Sequence, residues 1–345
     1  IPGNHDWSGW GQGGLEDQEK FVESYLNKKH GVNDKDDWEN YFLPDDGCSG
    51  PEVIELNDDI VVIVVDSNWW LADLTEEPKL NTGCEARNKE SFKFVFENTV
   101  RKYRNKNVVI AMHHPLYTYG PHGGGFTAKE HLFPLTELNP NLYIPIPIIG
   151  SMAAVFRSFL GSRQDVANPV YKGLRSALLA GAKKNGSFIF VSGHEHTLQY
   201  IENEDQKIVI SGSGSKTSPV MLGKGSQFAS GAMGYSTLKF YDKGETWAQF
   251  WEVDPDGEDA TLVFEKKVKE VKKVGDKPEL QDFSEFERHE DTVTMPIIKS
   301  KVEPIGSFHK FLLGEHYRKL YLEKYEFPVL DLTTYQGGVT PVKMG

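Results

Sequence analysis

The 345 residues are 39% hydrophobic and 12% aromatic, enough to bury one large domain or two ordinary ones. At 26% charged residues, the chain is not a wholly disordered one. Its formal net charge of −12 argues against binding nucleic-acid polymers, which needs basic surface; small phosphorylated molecules, which a bound metal can attract locally, stay open.

In chain order, Gly3-Asn4-His5-Asp6 comes first, a polar turn sequence rich in groups that bind metals or move protons. Gln18–Lys29 carries Phe21, Tyr25 and Leu26 at helical spacing. Cys48 and Cys84, the only two cysteines, both lie in Gly-containing loop sequence. A disulfide suited to an oxidising compartment and two free thiols are both open. "IVVIVVDS" (Ile60–Ser67) is a continuous, β-branched apolar run, which predicts a strand covered on both faces. Asp66 ends that strand as a loop hydrogen-bonding group, and Trp69 and Trp70 read as core. Ser91–Tyr103 repeats Phe92, Val95, Phe96, Val100 and Tyr103 on one helical face, and "VVIAM" (Val108–Met112) is a second buried strand.

Leu142–Leu160 has about the length of a membrane span. Pro145, Pro147, Gly150 and Arg157 make it instead a covering loop running into a short helix. A helix follows at Pro169–Lys184, with proline in its first turn, and then the strands "FIFVS" (Phe188–Ser192) and "IVIS" (Ile208–Ser211). Two alternating runs around Lys243-Gly244 predict an antiparallel hairpin in a second sheet. The charged stretch at 255–299 reads as an edge strand and linker, and 300–345 as a C-terminal arm or the start of a following module. Strands alternating with helices define an α/β layered fold.

Six of the 11 histidines sit in three short stretches: Asn4-His5-Asp6, "MHHPLYTYGPHGGG" with His113, His114 and His122, and "SGHEHTLQY" with His194 and His196. The last two follow buried strands directly, where open α/β sheets gather their ligands. Neutral imidazoles bind metals through either ring nitrogen, so three such loops meeting in one crevice predict a metal centre.

These residues resemble the calcineurin-like metallophosphoesterases, closest to the tartrate-resistant purple acid phosphatase branch. The likeness rests on Gly3-Asn4-His5-Asp6, His113-x-Pro115 and Gly193-His194-x-His196, and spans 1–254. It implies a two-sheet β-sandwich flanked by helices in four layers. It also implies a dinuclear centre of divalent or trivalent ions (Fe, Zn or Mn). By resemblance, Asn4, His113 and His194 are ligands of the second metal and His196 of the first. His5 is the catalytic histidine, Asp6 orients it, and His122 helps bind phosphate. His114, where the branch often carries tyrosine, is expected to line the cleft without ligating, and Glu195 to point away from the metals.

The family places its carboxylate motifs before Gly-Asn-His-Asp, so the expectation is a chain cut at its start, lacking the first strand or strands of the sheet and showing little or no phosphatase activity by itself. The function implied is a phosphomonoesterase acting on a small phosphorylated substrate. The alternatives are a nucleotide phosphodiesterase or pyrophosphatase, or a non-catalytic envelope module with a partial site. "LGEHYRKLYLEKYEFPVLDL" followed by "GGVTP" resembles the segment after the phosphoesterase domain of long bacterial envelope proteins. That implies a periplasmic or outer-membrane-associated location, with any membrane attachment supplied by a C-terminal part beyond this sequence.

Overall fold

The computed structural model describes residues 1–7, 11–32, 34–72, 83–126, 131–137, 141–148, 150–152, 161–241, 244–254, 256–257, 259–269 and 342–344. Helix α1 (Gln12–Lys29) leads to strands β1 (Glu52–Glu55) and β2 (Ile60–Val65), the short helix α2 (Ser67–Leu71), helix α3 (Lys89–Tyr103) and β3 (Asn107–Met112). After helix α4 (Pro169–Asn185) come β4 (Ile189–Ser192), β5 (Leu198–Asn203), β6 (Gln206–Ser211) and β7 (Ser226–Ser230). A second set follows: β8 (Gly234–Phe240), β9 (Thr246–Val253), β10 (Ala260–Lys269) and β11 (Val342–Met344).

The chain forms a mixed α/β fold with two sheets. The larger has seven strands in the order β1-β2-β3-β4-β6-β5-β7, and the smaller has four in the order β10-β9-β8-β11. β2, β3, β4 and β6 are parallel neighbours, while every pairing of the smaller sheet is antiparallel. The continuous apolar runs have a direct cause. Val108, Ile110 and Met112 enter a core with Phe92, Phe96 and Val100 of α3 and Leu174 and Leu178 of α4. The alternate residues Val109 and Ala111 enter a second core with Leu238, Ala248 and Phe250 of the smaller sheet. A strand buried on both faces has no position for a solvated side chain.

The helix ends follow their local chemistry. Asn88 and Ser91 form a reciprocal capping box at the start of α3, and Asn168 caps α4 ahead of Pro169. In α1 the expected face splits, with Leu26 half-buried and the two aromatic residues turned outward. Phe21 and Tyr25 stack on each other at 6.1 Å on the exposed side. The buried side carries Leu15 together with Glu23 and Asn27. Glu23 Oε1 accepts the backbone N–H groups of Tyr41 and Phe42 (2.8 and 3.0 Å). Asn27 exchanges two bonds of 2.9 Å with the backbone of Glu39. Polar residues occupy that stripe because they satisfy a loop's backbone, a role that periodicity does not signal.

β1, β5 and β7 lack continuous apolar runs and were not expected as strands. Cys48 and Cys84 form a disulfide, which resolves the alternative the sequence left open. In Leu142–Leu160, residues 147–148 and 150–152 are helical and Leu142, Tyr143, Ile144, Ile148 and Met152 are exposed; 149 and 153–160 lie outside the described residues. Among the described residues no helix is long and apolar enough to cross a membrane. β10 is the outer strand expected near residue 260. The expected linker and arm lie outside the described residues except for β11, which pairs with β8.

Candidate metal centre

The parallel strands β2, β3 and β4 end together at one edge of the larger sheet. Their registers pair Val65 with Met112 and Ala111 with Val191. The next residues are Asp66, His113 and Gly193-His194, so loops distant in sequence start side by side. The His113 carbonyl accepts the N–H groups of both Gly193 (3.1 Å) and His194 (2.9 Å), tying two of these loops through the backbone.

The first motif is anchored over the same edge. Trp7 is buried in the helix-side core, and its Nε1–H donates to Asp66 Oδ2 at 2.9 Å. Gly3 lies flat on the His113 imidazole; a Cβ there would come within 2.8 Å of the ring. Asp6 Oδ2 accepts the Gly3 N–H at 2.7 Å, a bond inside the loop that holds the turn presenting His5.

Three donor atoms from three loops converge. His113 Nε2 is 2.9 Å from Asn4 Oδ1 and 3.2 Å from His194 Nδ1. These residues are 109 and 81 positions from His113 in the chain. On the other side of its ring, His194 Nε2 faces the Gln164 carbonyl at 3.2 Å. A carbonyl only accepts, so Nε2 carries the hydrogen and Nδ1 keeps its lone pair. Metal-binding histidines are typically held this way, with the second nitrogen donating to a carbonyl or carboxylate.

His113, His114 and His194 have ring nitrogens within 4.8 Å of one another. The bonding separates His114 from the other two. Gln164 Nε2 donates to Asn68 Oδ1, so its Oε1 accepts from His114 Nε2–H. Ser67 Oγ accepts the His114 backbone N–H and therefore gives its hydroxyl hydrogen to His114 Nδ1, at 2.8 Å. Neither ring nitrogen of His114 has a lone pair left for a cation. The expectation that it lines the cleft is corrected: it is buried, because its hydrogen bonds are all internal.

His122 sits against this group, its ring 4.1 Å from that of His194. Its Nδ1 is 2.9 Å from Oδ1 of the buried Asp165. Glu195 is buried beside this group. Its Oε2 accepts from the His122 backbone N–H (3.0 Å) and Thr118 Oγ (3.1 Å).

His196 lies on the same loop as His194, and its carbonyl accepts the Ser218 N–H at 2.8 Å. Gly212 backs this loop so closely that a Cβ would fall 1.9 Å from the Glu195 carbonyl oxygen. His5, which is exposed, is near enough to His113 and His196 to influence both electrostatically.

Burial is the main cause that keeps these imidazoles neutral. It holds His113 and His194 well below the ordinary histidine range, with neighbouring histidines adding to the effect. Burial takes His114 down to about 3. His196 falls to about 4, through burial first and the Lys216 ammonium second. Asp66 moves the other way, to about 7, because burial outweighs the three N–H donors that favour its carboxylate. His194 keeps its Nδ1 lone pair, whereas His113 Nε2 faces two acceptors in the metal-free chain and ligates only once its hydrogen moves to Nδ1; these two neutral imidazoles beside the Asn4 amide oxygen are a donor set suited to a divalent transition metal.

The loop Ser162–Asp165 carries no motif and sequence reasoning missed it, although it contacts His114, His194 and His122. Its one signal is the polar run Ser162-Arg163-Gln164-Asp165 directly before the capped start of a helix.

No protein-family model matches the chain, and no curated protein matches it. One of the solved structures similar to it is GAP50, the anchor in the inner membrane complex of Plasmodium. That chain is 15% identical, and the likeness covers 60% of this chain and 48% of that one at a TM-score of 0.37. The chain thus spans about half the length of that neighbour, and a likeness of this degree carries no argument about the fold or function of this protein.

Proposed function

We propose that the chain carries the metal-binding and catalytic loops of a phosphoric-ester hydrolase of the calcineurin-like metallophosphoesterase kind, acting on a small phosphomonoester. The reading would make the two sheets and the flanking helices part of that family's four-layer fold. The observation that supports it most is the convergence of Asn4 Oδ1, His113 Nε2 and His194 Nδ1, from three separate motifs, on one point.

These three residues would hold one ion, with His196 beside them on the same loop. A bound divalent ion supplies a water of lowered pKa and a Lewis acid for a phosphoryl oxygen. The remaining roles belong to the chain. His5, exposed at the rim, stabilises or protonates the departing oxygen, a contribution of ~10²–10⁴-fold. The bond from Gly3 to Asp6 keeps the turn that carries His5 closed. His122 contacts the phosphate. Because the converging donors are neutral, they offset the charge of a second cation poorly, and the chain is expected to hold one ion. The Cys48–Cys84 disulfide supports a cell-envelope location, since disulfides persist in oxidising compartments.

Metal content and phosphomonoesterase activity, measured together, test this reading. In the full-length protein His194→Ala and His196→Ala are expected to lose metal, whereas His5→Ala keeps metal and loses only turnover. Full metal and unchanged behaviour in both His194→Ala and His196→Ala would overturn the assignment.

A further inference from the structure

Ser162–Asp165 holds the site from outside the sequence motifs, and its bonds fix hydrogens on named atoms. Asp165 Oδ2 accepts the Ser162 N–H (2.7 Å) and the Ser162 hydroxyl (2.9 Å). Its other oxygen, Oδ1, faces His122 Nδ1 at 2.9 Å. The main chain of His122 is held on both sides, by the N–H bond to Glu195 Oε2 and by the Val166 N–H at 3.0 and 2.9 Å. With its backbone pinned, the ring has one orienting partner described for Nδ1, and that partner is a carboxylate.

We propose that Asp165 is the positioning residue of His122: its carboxylate holds the imidazole in the Nδ1–H tautomer, so that Nε2 is the nitrogen left for a ligand in the cleft. A neutral His122 held this way meets its ligand as a hydrogen-bond acceptor. It suits a water or a protonated phosphate oxygen and does not suit a bare P–O⁻. The inference depends on the metal-site reading only for what His122 serves. The tautomer itself follows from the bonds of Asp165.

The same bonds supply the test. In Asp165→Asn the two hydrogens from Ser162 still require an acceptor, so the amide oxygen must take the Oδ2 position. The amide NH₂ then faces His122 Nδ1 and donates to it, which drives the ring hydrogen to Nε2. Imidazole ¹⁵N–¹H spectra of the histidine-labelled 345-residue chain, metal-free and at a pH where His122 is neutral, read this directly. His122 is expected as Nδ1–H in the wild type and as Nε2–H in folded Asp165→Asn. Ser162→Ala, which leaves the Asp165–His122 bond in place, is expected to keep the wild-type tautomer.

A wild-type Nε2–H tautomer would overturn the proposal whether or not the variant folds. So would a folded Asp165→Asn chain with the tautomer unchanged. Zinc affinity separates this claim from the metal-site reading. Removing the partner of a ligating histidine costs ~10–100-fold, and Asp165→Asn is expected to cost much less. A loss in that range would make His122 a ligand and overturn its assigned role, whereas failure of the wild type to bind zinc would count against the metal site alone.

Discussion

The two sheets of this molecule differ in what their ends can gather. In the larger sheet β2, β3 and β4 run parallel, so the loops after Val65, Met112 and Ser192 leave from one edge. Residues more than a hundred positions apart meet there, as Asn4 and His113 do. In the smaller sheet each strand reverses the last, which sends successive loops to opposite edges. That sheet contributes Leu238, Ala248, Phe250 and Val268 to the second core. Parallel topology concentrates chemistry, and the antiparallel sheet behind it supplies packing.

The comparison breaks if damage to the packing sheet also disables the donors. Phe250 is fully buried between the sheets. Phe250→Ala should destabilise the chain by about 3–5 kcal/mol in denaturant unfolding. The fraction still folded should bind metal with unchanged affinity, because Phe250 contacts none of the site loops by any bond described above. Loss of affinity without loss of stability would show that the smaller sheet positions the donors directly.

A somewhat smaller effect is expected at the disulfide. The Cys48–Cys84 bond closes a span of 36 residues, for which loop-closure entropy gives about 3–4 kcal/mol. The double variant Cys48→Ser/Cys84→Ser should therefore unfold at correspondingly lower denaturant. A change under about 1 kcal/mol would mean that the unfolded chain is already restricted there.

The pH dependence is smaller per group and has a definite sign. His114 and His196 have folded-state values of about 3 and about 4, below the ordinary 6.5. In the metal-free chain the unfolded state therefore takes up their protons first as pH falls. Stability declines from about pH 6.5 downward, by about 1.4 kcal/mol per pH unit for each such group. Asp66 opposes this, because its carboxyl is raised from 3.8 to about 7. Its contribution is present at acid pH and is lost as pH rises toward 7. Asp66→Asn should remove that opposing slope and steepen the acid loss between pH 4 and 6.5. An unchanged slope in urea unfolding across that window would contradict the burial argument.

How much of this was legible in the sequence divides along the same line as the two sheets. The parallel strands could be read because burial on both faces leaves an unbroken apolar run, as at Val108–Met112. The helical face of α3 could be read because Phe92, Val95, Phe96, Val100 and Tyr103 all point to one core. The histidine loops could be read because they follow those strands directly. What failed has a common cause: side chains whose job is to satisfy a particular backbone or ring leave no periodic signal. Glu23 and Asn27 split the expected face of α1 for that reason. Gln164 and Asp165 hold site histidines from a segment that carries no motif. His114 looks like a site residue in sequence, and only its bonds to Ser67 and Gln164 show that its lone pair is used internally.

The central claim, that three loops at the parallel edge form one cation site, is tested most directly by titrating the metal-free chain with Zn²⁺ while recording the imidazole ¹⁵N signals. The account predicts saturation at one ion per chain, with the His113 Nε2 and His194 Nδ1 resonances moving together and those of His114 unaffected by direct ligation. Zinc binding that leaves His113 and His194 in place, or no binding at all, would contradict it.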